Sequence, residues 1–238
     1  MSNDTLLVEL GTEELPPKTL KILSDAFSKE LLAGLLEAQL ISPTQAEAAT
    51  PYATPRRLAL SVPGVIRAQP DQSIERRGPA VQAAFKEDGE PTPAAMGFAR
   101  SCGVEVAELE RHKTDKGEWL SYQLTETGKT TASLVPAIID QAIKRLPIAK
   151  RMRWGAGTAE FVRPVQWLIV MHGDQLIPAE VLSIESGTNT RGHRFHSEGE
   201  IKLKHADDYS NSLLQEGHVV ASFSERQGMI DQQINKLA

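Results

Sequence analysis

The hexapeptide RGHRFH, residues 191–196, places two histidines and two arginines around one phenylalanine. His193 and His196 stand three apart, a spacing that puts two metal ligands on one face of a helix. The flanking GTNT and SEGE argue for a loop instead, and His112, His172, His205 and His218 are scattered without a matching pair. No HExxH occurs, so a metal centre is the weaker reading. Read as a turn and strand start, the segment is expected to anchor Phe195 inward. Arg191 and Arg194 are then available for a phosphate or for an acidic partner.

A second cluster lies upstream. From Lys144 to Arg163 there are six basic residues, Lys144, Arg145, Lys150, Arg151, Arg153 and Arg163, with Trp154 among them. Arginine next to an aromatic ring suits a nucleic-acid backbone with unstacked bases. A solvated basic loop, or arginine stems packed over a core and ion-paired, fits the same residues equally well. WGAGTAEF, 154–161, has the glycines of a phosphate-contacting loop but no lysine, and neither GxGxxG nor GxxxxGK[ST] is present. Cys102 in ARSCGV has no signature of a catalytic thiol, and no GxSxG elbow occurs. GTEEL, 11–15, holds adjacent carboxylates, which do not share a face of a helix or strand. Glu13 and Glu14 read best as charge at a helix N-terminus, with an interface role still open.

The elements that must position these residues follow from hydrophobic spacing. TLLVEL, 5–10, is a short apolar run that predicts a buried strand. From Lys18 to Leu40, Leu20, Leu23, Phe27, Leu31, Leu35 and Leu36 make one face of a long helix that starts after Pro16 and Pro17. RRLALSV, 56–62, alternates as a strand. PAVQAAF, PTPAAMGFARSCG and VEVAELER suggest three short helices, and 65–115 is read as a possible helical insertion. GEWLSYQLTETG predicts a strand, and TTASLVPAIIDQAIKRL a helix with Leu134, Ile138, Ile139, Ala142 and Leu146 on one face. VQWLIVMHG and LIPAEVLSI predict two strands around HGDQ. ADDYSNSLLQEG predicts a helix, HVVASF a strand and SERQGMIDQQINKLA a terminal helix. The expected class is α+β: a mixed, mainly antiparallel sheet with packed helices and a small helical insertion.

The whole chain bounds the chemistry further. It has 238 residues, 40% of them hydrophobic, and a formal net charge of −5. That balance argues against indiscriminate coating of nucleic acid but leaves room for a local basic face. One cysteine allows neither an internal disulfide nor a cysteine-based zinc site. The N-terminus lacks the pattern of a signal peptide, and apolar runs such as WLIVM are too short to span a bilayer. A soluble, cytoplasmic protein is expected.

Seven segments then occur in order: LLVELGTEELPPK (6–18), ATPRRLAL (53–60), IERRGPA (74–80), TDKGEWL (114–120), KRMRWG (150–155), FVRPVQWL (161–168) and RGHRFH (191–196). As an ordered set they closely resemble the N-terminal portion of the β subunit of bacterial glycyl-tRNA synthetase, the heterotetrameric type. The resemblance runs along essentially all of 1–238 and implies the N-terminal α+β region of a longer chain. It also implies that ATP and magnesium are used by the α subunit, which carries the class II core. The β subunit handles tRNA and is needed for charging. This segment is then expected to hold no catalytic, cofactor or metal residues. Its expected partners are the α subunit, tRNA(Gly) and the remainder of the β chain, with no membrane. Charge and aromatic context make Lys150, Arg151, Arg153, Trp154, Arg163, Arg191, His193 and Arg194 the tRNA-binding candidates. The alternative is a non-catalytic scaffold that docks the α subunit without touching tRNA.

Overall fold

A computed structural model of the chain describes residues 3–86, 89–114 and 117–237, so Asp115 and Lys116 of the TDKGEWL segment lie outside the described residues. The chain divides into two compact units: Met1–Gln69 with Lys129–Ala238, and Pro70–Gly128. The first opens with β1 (Asp4–Thr12), buried along almost its whole length. Its apolar run does not alternate because both faces of the sheet are covered. Leu6, Val8 and Leu10 enter one core and Leu7 the other.

α1 (Pro17–Glu37) starts with proline at a position where the missing N–H costs nothing, and buries Leu20, Leu23, Phe27, Leu31 and Leu35. Leu36 falls off this stripe and is 36% exposed. The helix stops short of Leu40 because Gln39 turns left-handed, at φ 55°. α2 (Pro43–Glu47) is held by a Ser42–Gln45 capping box. β2 (Thr50–Thr54) and β3 (Arg57–Val65) then pair antiparallel.

The second unit contains β4 (Gln72–Ala80), α3 (Val81–Ala84), α4 (Pro93–Cys102), β5 (Glu110–Thr114) and β6 (Gly117–Glu126). Its strands form an antiparallel sheet in the order β4-β6-β5. The small core centres on Ala84, Ala95 and Leu120. PAVQAAF keeps a single helical turn because Phe85 is already extended. VEVAELER is not a helix: a 3-10 turn over Val106–Glu108, closed by a Glu105–Glu108 capping box, leads straight into β5.

Back in the first unit, α5 (Thr131–Lys144) is capped by the Thr130 hydroxyl, which accepts from the Ser133 N–H. Its buried residues are Val135, Ile139, Ala142 and Ile143. It packs closely on α1, where a Cβ at Gly34 would come within 2.6 Å of Ile138. There follow β7 (Met152–Arg153), β8 (Glu160–Phe161), β9 (Val165–His172), β10 (Gln175–Leu176), β11 (Glu180–Val181), β12 (Ile184–Gly187), β13 (Asn189–Arg191), β14 (Glu200–Lys202), α6 (Tyr209–Gln215) and α7 (Phe223–Leu237).

The main sheet runs β11-β12-β9-β1-β3-β2, with β10 also on β9. All its pairings are antiparallel except β12 with β9, so the fold is α+β around a mixed sheet. LIPAEVLSI is broken into three short strands, with Leu182 and Ser183 at φ 52° and 63° making the reversal. HVVASF is not a strand. His218 is left-handed at φ 52°, and the following residues lie alongside β2 through one bond, Ala53 N–H to Ala221 C=O, 3.2 Å. One face of the sheet is covered by α1 and α5. The other carries a second core of Leu7, Ala59, Trp167, Ile169, Met171, Leu203, Tyr209 and Leu213. No helix among the described residues is long and apolar enough to cross a membrane.

Candidate functional site

Four of the singled-out segments meet at one end of this sheet. The Thr12 N–H donates to Arg56 C=O at 2.8 Å, Glu13 N–H to Pro164 C=O at 2.9 Å, and Leu15 N–H to Pro55 C=O at 2.6 Å. Arg163 Nε donates to Glu14 C=O at 3.1 Å, and Arg57 Nη2 donates to Arg191 C=O. GTEEL is thereby stitched to TPRR and FVRP, and TPRR to RGHRFH. Glu13 and Glu14 are not helix-terminal charge, because α1 begins only at Pro17 with Pro16 as its cap. Glu13 instead lies 4.0 Å from Arg56, and Glu14 takes Arg163 through its carbonyl.

Beneath this end lies a buried polar group that the sequence reading missed. Glu9 and Arg57, 0% and 2% exposed, face each other with Nε to Oε1 at 3.6 Å. The register of β1 on β3, with Gly11 opposite Arg57, brings them together. Thr190 Oγ1 donates to Glu9 Oε1 at 3.0 Å. Burial pushes the Glu9 carboxyl above the ordinary carboxylate range, while Arg57, Thr190, Trp167 and Tyr209 pull the other way. Burial also raises the Tyr209 phenol well above its usual value, and the neighbouring Glu9 adds to the rise. Gly11 makes room for the indole of Trp167, whose Cε2 would sit 1.8 Å from a Cβ at that position. Arg56 and Arg191 flank the same ring, their guanidinium carbons 6.0 and 5.5 Å from its centre.

RGHRFH closes this end as the last residue of β13 followed by a turn. Phe195 does not anchor inward: it is 82% exposed, with the Arg194 guanidinium carbon 5.8 Å from its ring centre. The turn is held by backbone instead, with His193 N–H on Gly217 C=O at 2.7 Å and Ser197 N–H on His193 C=O at 3.0 Å, while the His193 imidazole Nδ1 accepts from Phe195 N–H at 3.2 Å. His193 and His196 stack, with ring centres 4.4 Å apart. No group of three or more His, Cys, Asp or Glu placed to hold a metal occurs among the described residues. Arg191 pairs with Glu200 at 3.2 Å, and this contact together with Asn189 lowers the pKa of Glu200, Asn189 contributing most. Arg194 and His193 border a cavity of about 400 Å³ that Arg56, Arg57, His218 and Arg226 also line.

The basic stretch splits in two. Lys144 pairs with Asp140 at 2.5 Å and Arg145 with Glu30 at 3.3 Å. Arg151 donates to the Lys144 and Glu160 carbonyls, at 3.3 and 3.5 Å. Arg163 is spent on the Glu14 and Val162 carbonyls, and half-buried Trp154 packs against the first core. Lys150 and Arg153 remain exposed, with no ion pair among the described residues. Glu14 connects the two patches: its carbonyl binds Arg163, and the same residue borders the cavity beside His193 and Arg194.

Comparison with known proteins addresses the same residues. A family model described as "Glycyl-tRNA synthetase beta subunit" matches residues 6–238. The chain is 49% identical over 234 residues to the "Glycine--tRNA ligase beta subunit" of Chromohalobacter salexigens, covering 98% of this chain and 33% of that protein. The protein of the same name from Marinobacter nauticus is 48% identical over 238 residues, covering 100% of this chain and 34% of its own length. That from Hahella chejuensis is 45% identical over 238 residues, with the same coverage. The chain thus spans about a third of the length of the curated relatives it matches. With the family match running over nearly every residue from β1 to α7, this chain belongs to the glycyl-tRNA synthetase beta subunit family.

Proposed function

We propose that this chain serves the ATP-dependent charging of tRNA(Gly) with glycine by binding the tRNA and helping to assemble the α/β enzyme, a heterotetramer of the cytoplasm. The observation that carries this reading is the continuity between two cationic patches through Glu14. On one side Lys150, just before β7, and Arg153, within it, are exposed; on the other Arg194 and the exposed Phe195 project from the RGHRFH turn. Cations without carboxylate partners suit phosphate, and an exposed ring suits an unstacked base. A net charge of −5 confines such binding to this surface.

In this reading adenylate chemistry, ATP and magnesium belong to the α subunit. Among the candidates, Lys150, Arg153, His193 and Arg194 touch the RNA. Arg151, Trp154, Arg163 and Arg191 hold the surface in shape, since their side chains already have partners or packing. The assembly half of the reading is favoured by α7, where Ile230, Ile234 and Leu237 form an exposed apolar stripe. The test is retention of tRNA(Gly) at low salt by the protein and by its Lys150→Ala/Arg153→Ala variant. A weakening of tenfold or more is expected. Unchanged retention, with subunit association lost instead, would establish the scaffold reading.

A further inference from the structure

The cavity behind RGHRFH has a composition unlike a surface crease. Arg56, Arg57, Arg194 and Arg226 all border it; Glu14 is the carboxylate among its lining residues, with Glu13 beside Arg56 and Glu9 behind Arg57. Arg57 is 2% exposed and faces Glu9 at 3.6 Å, so it backs the wall, and Arg56 has Glu13 at 4.0 Å; Arg194 is exposed with no ion pair among the described residues. An arginine without a carboxylate partner beside an exposed aromatic ring points to a ligand that carries both an anion and a flat ring. The remaining wall is apolar, from Pro55, Val219 and Val220, and Phe195 stands at the mouth with its ring in solvent. The volume of about 400 Å³ lies in the range of small-molecule sites.

We infer that this cavity takes one unstacked nucleotide, with its phosphate at the Arg194 and Arg56 guanidinium groups and its base against Phe195. A phosphate alone would satisfy the cations but leave the apolar wall and the aromatic ring unused. An uncharged nucleoside would leave the Arg194 guanidinium without an anion. The cavity is built from rigid pieces. Arg57 opens β3 with Arg56 in the turn just before it, and Arg226 is fixed by the Ala53 and Val220 carbonyls at 2.9 and 2.7 Å. Only the turn carrying Arg194 and Phe195 needs to adjust. The same chemistry is offered by a nucleotide splayed out of an RNA and by a free nucleoside monophosphate. The first source rests on the tRNA reading above; the second does not.

The experiment titrates the protein with AMP, GMP, CMP and UMP, with inorganic phosphate and with adenosine, by calorimetry. At least one nucleotide should bind saturably, at least tenfold more tightly than phosphate or adenosine. Phe195→Ala, at an 82% exposed position that the fold does not depend on, should weaken that nucleotide about fivefold or more. Arg194→Ala should weaken it comparably. Absence of saturable binding by all four nucleotides, phosphate binding as tightly as the nucleotides, or Phe195→Ala binding as well as wild type would each overturn the assignment. Where a nucleotide binds, displacement of tRNA by it assigns the site to RNA, and undisturbed tRNA assigns it to a free nucleotide. The two proposals fail separately: tRNA bound with no nucleotide site overturns only this one, and a nucleotide bound with no tRNA overturns only the other.

Discussion

Replacing Arg57 with methionine tests whether the buried pair organises this end of the sheet. The change keeps an unbranched side chain of similar reach but removes the guanidinium facing Glu9 at 3.6 Å and donating to the Arg191 carbonyl. Glu9 is 0% exposed and keeps the Thr190 hydroxyl as a hydrogen-bond donor, with the Trp167 and Tyr209 polar groups nearby but no cation. Breaking a buried pair in this way costs about 3–5 kcal/mol, most of it the stranded charge. The urea midpoint should therefore fall by roughly 1–3 M at neutral pH, read by fluorescence of Trp167 beside the pair. Because burial has already pushed the Glu9 carboxyl upward, protonation relieves the stranded charge, and the cost should shrink in acid. The double variant Glu9→Leu/Arg57→Met removes both charges and should recover most of the loss. An Arg57→Met midpoint unchanged within error, or a double variant no more stable than the single one, would refute the reasoning.

Three further outcomes follow from the same geometry. A carboxyl whose pKa is raised in the fold stabilises most below the ordinary glutamate value of about 4.3, and that contribution is lost as pH rises through its folded value. The stability advantage of wild type over Glu9→Gln should therefore be largest at acid pH and narrow toward neutrality, measured by urea melts across pH; a gap that widens would contradict the burial argument. Gly11→Ala drives a Cβ to 1.8 Å from the Trp167 ring, so it should cost at least about 1–3 kcal/mol in thermal unfolding, and a silent substitution would show that the ring is mobile. Glycine-dependent ATP turnover by the purified protein alone should stay at background; turnover above it would place adenylate chemistry in this chain.

Regular spacing made some of this legible and hid the rest. The stripe from Leu20 to Leu35, the Thr130 cap and the apolar runs of β1 and β9 predict their elements because each is a local pattern. HVVASF and LIPAEVLSI carry strand-forming residues, yet His218, Leu182 and Ser183 take left-handed conformations that composition does not announce. Phe195 fails for the opposite reason: hydrophobic character predicts burial, but here backbone bonds hold the turn and the ring is left in water. The Glu9–Arg57 pair was hidden by distance along the chain, although a lone carboxylate inside TLLVEL was a visible oddity. Arg56 and Arg57 look identical in sequence. The side-to-side alternation of β3 sends Arg57 toward the second core while Arg56, just before the strand, reaches Trp167 and the cavity.

The most direct measurement of the tRNA-binding surface is the salt dependence of tRNA(Gly) affinity for wild type and for the Lys150→Ala/Arg153→Ala/Arg194→Ala variant. Each cation that neutralises a phosphate contributes about one unit to the slope of log affinity against log salt. The expected result is a variant slope shallower by roughly two to three units, with weaker binding throughout at low salt. Superimposable lines for the two proteins would contradict the assignment of tRNA contact to the 150–153 segment and the RGHRFH turn.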